Sequence, residues 1–241
     1  MRRLSRKDIE GIAARVITAY KNMPVNEGKV LHRVDPELLV HGLLGLNIEF
    51  KHLSLDGSIL GLTSFGELGI QVYDEDDEDD VFYLDSQTVL IERDLRDNVK
   101  KRGRCNFTLM HEGSHQIYKM LFPRDYGIRY RTEVHYYRLS ETQSKQITNW
   151  EEWQANVLAS ELILPRECVE RSLFMFGFDE KIHMLNRIYA RTQYERFEDM
   201  AIFLGVSKKA LAIRLKQLGL IENDYYDDPY SLFDVRKDEV D

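Results

Sequence analysis

The feature that most constrains this chain is a helical stretch carrying two histidines four positions apart on a face otherwise suited to burial. Residues 106–123 open on Asn106, a good helix cap, and stop at Pro123; Phe107, Met110, Ser114, Ile117, Tyr118 and Leu121 surround His111 and His115 with core-type side chains. Positions i and i+4 share one face of a helix, so the two imidazoles can converge on one metal ion. Glu112 projects beside that face, where its carboxylate can take a proton from a water held there. Such a helix needs a partner that closes over the histidines.

A catalytic zinc site takes three protein ligands and keeps one position open, and the third ligand is a carboxylate or histidine on a neighbouring element. Residues 148–165 read as a second bounded helix, capped by Thr148 or Asn149 and ended by Pro165. Glu152, Ala155, Asn156, Ala159 and Ile163 form one stripe along it, so Glu152 heads an otherwise apolar, small-residue face. A buried carboxylate needs a charge partner, which Zn²⁺ would supply. The two alanines would let this helix approach the first closely. Asn156 stands one turn on, where it could accept the free ring N–H of a ligand histidine. Glu151 falls towards solvent and pairs with Thr148 as a capping box. Trp150 and Trp153, the only tryptophans, flank the two acids.

Both stretches resemble the ImmA/IrrE-type metallopeptidases. Arg104-Cys-Asn-Phe-Thr-Leu-Met-His-Glu-Gly-Ser-His115 is similar to that family's R-x-x-F-T-L-x-H-E-x-x-H, and Glu152-Trp-Gln-Ala-Asn-Val-Leu-Ala-Ser-Glu-Leu-Ile-Leu-Pro165 to its E-x-x-A-N-x-F-A-x-x-L-L-M-P. The resemblance spans Val34 to Ile221. It implies a zincin-like fold in bacteria or their mobile elements, one zinc held by His111, His115 and Glu152, and Glu112 as the base. It also implies a protein substrate, a transcriptional repressor of a stress response or mobile element. Two departures stand out. Gly113-Ser114 occupy the place of the family's large apolar residue and glycine, which bears on packing rather than ligation. The interval of 37 residues from His115 to Glu152 is long, and the insertion is 123–147.

That insertion is rich in arginine and tyrosine (Arg124, Tyr126, Arg129, Tyr130, Arg131, Tyr136, Tyr137, Arg138), has no helical stripe, and reads as a long loop or hairpin that can wall a substrate cleft. A hydrolytic site also needs a donor for the tetrahedral oxyanion. His135, Tyr136, Tyr137 and Arg138 are candidates, and spacing selects none of them.

Elsewhere the pattern is α+β. Ser5 and Asp8 form a capping box ahead of a first helix with Ile9, Ile12, Ala13, Val16, Ile17 and Tyr20 at helical spacing. A short helix begins at Asp35-Pro36 and stops near Gly45. Leu46–Leu53, Ser58–Thr63, Gly69–Tyr73, Val81–Leu84 and Thr88–Ile91 read as strands of a small sheet, with the acidic run 74–80 as a solvated hairpin loop. Residues 199–221 read as helix, tight turn, helix, with Ser207 as cap. Val206–Ile221 holds Lys208, Lys209, Arg214 and Lys216 and no acid, and the 20 residues after it hold 8 acids against Arg236 and Lys237. A recognition helix on DNA is therefore a weaker reading than packing or docking of a protein substrate. The predicted organisation is an N-terminal helix and linker (1–33), a zincin-like metallopeptidase domain (34–192), a helix-turn-helix-like module (193–221) and an acidic tail (222–241).

Composition narrows the class. With 33 Lys+Arg against 41 Asp+Glu and a net charge of −8, non-specific coating of nucleic acid is disfavoured. The longest stretch without Asp, Glu, Lys or Arg is Leu38–Ile48, eleven residues against the roughly 20 of a membrane span. Two cysteines, Cys105 and Cys168, make no disulfide framework. These features predict a cytoplasmic protein without a membrane partner, and the two motifs with the resemblance they carry imply a zinc endopeptidase. The rival is a non-catalytic metal-containing regulator that binds DNA through 193–221. A site with an open position and a glutamate base favours the enzyme, because structural zinc is normally closed by four protein ligands.

Overall fold

The structure is a computed structural model that describes residues 3–74, 77–125, 134–138 and 150–233, and only the backbone of 74, 77–80, 134–138 and 233. It is a mixed α+β chain with small sheets. Two compact units divide it, Met1–Pro165 and Arg166–Asp241. The division falls inside the stretch 34–192 expected as one domain, and the N-terminal helix belongs to the first unit rather than standing apart.

In the first unit, helix α1 (Arg6–Lys21) starts at the expected capping box: Ser5 Oγ accepts from the Asp8 N–H and the Asp8 carboxylate accepts from the Ser5 N–H. Its buried face is Ile9, Ile12, Ala13, Ile17 and Tyr20. A π-helical turn, Leu38–Leu43, follows Asp35-Pro36. Strands β1 (Asn47–Lys51), β2 (Ile59–Ser64), β3 (Leu68–Asp74), β4 (Asp77–Leu84) and β5 (Thr88–Glu92) lie where the short apolar runs place them. They do not form one sheet. The main sheet has the order β1-β5-β2-β6, where β6 (Val134–Arg138) comes from the 123–147 insertion, and β3 and β4 pair apart as a hairpin. The hairpin pairs as far as Asp74↔Asp77, so part of the acidic run is strand rather than loop. β1 runs parallel to β5, while β2 is antiparallel to both β5 and β6.

One helix closes a face of the main sheet, and a second backs it. After the short helix α2 (Arg93–Asp97) comes α3 (Arg102–Leu121), which packs on β2 and β5; α4 (Trp150–Ile163) packs between α3 and α1. The other face of β2 and β5 meets the hairpin, where Leu53, Leu62, Ile70, Leu84 and Leu90 form an apolar cluster. Strand alternation explains the division: Leu62 points to the hairpin, while Gly61 and Thr63 on either side of it point to α3. The expected start of α3 at Asn106 is too late. Asn98 caps a 3₁₀ turn, Val99–Lys101, which runs straight into the helix four residues earlier, so Asn106 is a helical residue. Thr148 and Asn149 lie outside the described residues.

The second unit contains α5 (Arg166–Met175), β7 (Ile182–Leu185), α6 (Arg191–Leu204), α7 (Lys208–Leu218) and β8 (Ile221–Asp224). Gly205, at φ 69°, takes the left-handed conformation that ends α6, and Ser207 then caps α7 by accepting from the Ala210 N–H. β7 and β8 pair in parallel, so the segment after α7 begins as a strand rather than a tail. No helix among the described residues is long and apolar enough to cross a membrane.

Candidate metal centre

α3 is buried almost continuously from Thr108 to Tyr118, on the sheet side as well as on the α4 side. Close packing explains Gly113-Ser114. A methyl group on Gly113 would lie 2.9 Å from Val40 Cγ2, because the π-helical turn runs tightly along the helix there. The Ser114 hydroxyl donates to the Met110 carbonyl at 2.8 Å, so the buried hydroxyl is satisfied within the helix. The unusual pair serves packing and leaves the ligand face unchanged.

On the α4 side, three ligand atoms meet. His111 Nε2 lies 3.1 Å from Glu152 Oε2, His115 Nε2 lies 3.3 Å from Glu152 Oε1, and the two Nε2 atoms are 3.2 Å apart. Four ligands set tetrahedrally at 2.0–2.1 Å around zinc are separated by about 3.3–3.4 Å. The spacing of the three atoms is close to that edge length. Both histidines are fully buried and the Glu152 side chain is 15% exposed, leaving one side of the cluster accessible. These residues can hold one divalent metal ion, and the two-imidazole, one-carboxylate donor set suits zinc.

Glu112 occupies a different place. Its carboxylate stands against β2, where a methyl on Gly61 would lie 3.0 Å from Oε1. The residue is fully buried, and neither carboxylate oxygen has a hydrogen-bond partner among the described residues. Burial, reinforced by the Glu152 carboxylate, holds its acid group well above the usual carboxylate range. A nearby dication acts in the opposite direction and favours the ionised form. An unsatisfied buried carboxylate next to a second one is costly in an ordinary core.

Hydrogen bonds that the sequence pattern does not reveal hold the three elements in register. The Gln116 amide donates to Thr63 Oγ1 at 2.6 Å and to the Ser64 carbonyl at 3.0 Å, fastening α3 to β2. Tyr118 donates through its hydroxyl to the Gln154 carbonyl at 3.0 Å, fastening α3 to α4. Gln154 Oε1 in turn accepts from the Leu4 N–H at 2.7 Å, which brings the N-terminal segment onto α4 two residues from Glu152. Tyr118, a core-spaced residue with a polar tip, is the signal that could have found one of these links; Gln116 gives none.

Of the expected site residues, His111, His115 and Glu152 come together and Glu112 lies beside them. Asn156 is half-buried and forms no hydrogen bond to either imidazole among the described residues. Trp150 and Trp153 stack at 4.5 Å, and Arg3 lies over Trp150, so the pair anchors the start of α4. For His135, Tyr136, Tyr137 and Arg138 the backbone is described and the side chains are not, so no oxyanion donor is assigned. A second group, His52, Glu92 and Asp94, also has potential ligand atoms close together. There, however, Glu92 accepts from the Leu53 N–H, and its other oxygen bonds His52 Nδ1, so the carboxylate is already engaged as a local brace.

In the second unit, Lys208 pairs with Glu198, Lys216 lies 3.0 Å from Asp224, and Arg214 is buried. Lys209 is the remaining cation of the basic stretch. Compared with protein-family models and with curated proteins, the sequence matches none.

Proposed function

We propose that this chain is a zinc-dependent endopeptidase of the ImmA/IrrE type, zincin-like in its first unit, that hydrolyses a peptide bond in a protein substrate. The observation that carries the reading is the meeting of His111, His115 and Glu152 at 3.1–3.3 Å with a buried, unsatisfied Glu112 on the next helical position. His111, His115 and Glu152 would hold the metal, which when bound acidifies water and polarises a carbonyl.

Glu112 is the general base: its carboxylate takes the proton of the attacking water and passes it to the departing amine. Its burial between α3 and β2 removes competing hydrogen bonds and gives the carboxylate one place to stand. Gly61 makes that place, since any side chain there would intrude on it. Gln116 and Tyr118 keep the base and the ligands in fixed relation by tying α3 to both of its neighbours.

The substrate class follows from the resemblance: a transcriptional repressor, cut in the cytoplasm of a bacterial cell. In this reading the helix-turn-helix-like pair α6 and α7 packs or docks protein. The alternative, a regulator binding DNA through α7, has less support, because two of its lysines are engaged by carboxylates and its arginine is buried. Co-incubation with the repressor encoded beside it, with zinc and with a chelator, tests the proposal. Zinc-dependent cleavage at one position is expected; an intact repressor under both conditions opposes the reading.

A further inference from the structure

Strand β6 covers the edge of β2 that runs beside Glu112. Gly61 is the closest approach: it faces the Glu112 carboxylate and pairs with Tyr137 of β6. The pairing runs from Ile59↔Arg138 to Ser64↔Val134. The opposite margin of the main sheet, β1, lies on the far side of β5 and away from β2. β6 also comes from the chain between the two metal-ligand helices, so it is tied to the site at both ends.

A polypeptide that is to be hydrolysed must be held extended, and a sheet edge supplies the backbone hydrogen bonds that do this. The edge best placed for Glu112 is already paired with the chain itself. That pairing is short. β6 has five residues, and its register with β2 breaks between Ile59 and Gly61. An incoming strand of the same length would exchange ladder bonds for equivalent ones, so the ladder itself is not lost, and the substrate's other contacts offset the entropy of bringing in a separate chain.

We infer that β6 is an internal competitor for the docking edge: it holds β2 in the resting protein, and an extended segment of a protein substrate gains access by pairing with β2 in its place. The inference rests on the peptidase reading and adds its regulation.

The test locks β6 reversibly. In the full chain carrying Glu112→Gln, to prevent turnover, Ile59→Cys and Arg138→Cys place two thiols on paired positions, while Cys105 and Cys168 are buried. The probe is fluorescein-labelled casein, an unstructured protein, followed by anisotropy with zinc present. The oxidised form should bind at least tenfold more weakly than the same sample reduced with a phosphine. A second variant, Tyr136→Pro with Tyr137→Pro, removes a ladder N–H whichever side each faces, and should bind at least tenfold more tightly with faster amide exchange in β2. Equal affinity in the two redox states, binding in neither, or failure of the thiols to oxidise overturns the inference. Failure of the peptidase reading is seen separately, as the neighbouring repressor left uncut by the zinc-loaded chain with Glu112 intact while casein binding still responds to the lock.

Discussion

Alanine at Gly61 should damage both the fold and the chemistry while leaving the metal in place. The added methyl would lie 2.6 Å from Thr108 Cγ2, 3.0 Å from Glu112 Oε1 and 3.2 Å from Glu112 Cγ. Ordinary carbon contacts are about 3.5–4.0 Å, so about 1 Å of movement is needed. The backbone of Gly61 cannot supply it, because β2 is paired with Ile91 on one side and Tyr137 on the other. Thr108 is fully buried, and a β-branched side chain in a helix has little rotamer freedom. With Thr108 unable to rotate away, α3 itself gives way at that turn and carries Glu112, four residues on, with it. Overpacking of this kind costs about 1–3 kcal/mol, offset by about 0.5–1 kcal/mol from replacing a strand glycine. The net loss of about 1–2 kcal/mol corresponds to a Tm lower by roughly 2–8 °C for a unit of this size. Moving the base by about 1 Å should lower kcat/KM about 100-fold. Differential scanning fluorimetry, zinc content and repressor cleavage are the assays. Unchanged Tm and unchanged cleavage in Gly61→Ala would refute the placement of Glu112 against β2.

Adjacent acids on α4 should behave differently: Glu152→Ala loses most of the zinc, whereas Glu151→Ala costs on the order of 1 kcal/mol and keeps it, as read by native mass spectrometry. Duplex DNA should not shift with this protein even at low salt, since α7 presents Lys209 while Lys208 and Lys216 are paired; a salt-sensitive gel shift would restore the DNA-binding reading. Burial, with Glu37 nearby, pushes the Cys105 thiol up to about 11. The reactive thiolate is then about one part in a thousand at pH 8, so iodoacetamide should label native Cys105 at least 100-fold more slowly than free cysteine, with the rate rising towards pH 11. Equal labelling rates would show that the thiol is not buried as described.

Local signals made much of this structure legible. Short apolar runs between Gly, Asp and Ser located β1 to β5, and the i, i+4 spacing of His111 and His115 located the ligand face. The stripe from Glu152 through Ala155 and Ala159 chose the acid that reaches them. What stayed hidden depends on partners far apart in sequence. Nothing around Gly61 announces that Thr108 and Glu112 will press against it, and Gln116 reads as any polar helix residue until Thr63 and Ser64 are opposite. Asn106 looked like a cap because capping residues are also tolerated inside a helix that is begun by something else, here Asn98 and its 3₁₀ turn. The separation of the β3–β4 hairpin from the main sheet was likewise invisible, since pairing order is set by packing across the cluster of Leu53, Leu62, Ile70, Leu84 and Leu90.

Cleavage of the neighbouring repressor by the wild-type chain and by Glu112→Gln, each loaded to one zinc as measured on the same samples, tests the central claim most directly. The account predicts equal zinc in both, a cut repressor with the wild type, and an intact one with Glu112→Gln, because Glu112 is a base and not a ligand. Cleavage by Glu112→Gln at the wild-type rate, or a wild-type chain that takes up no zinc, would contradict it.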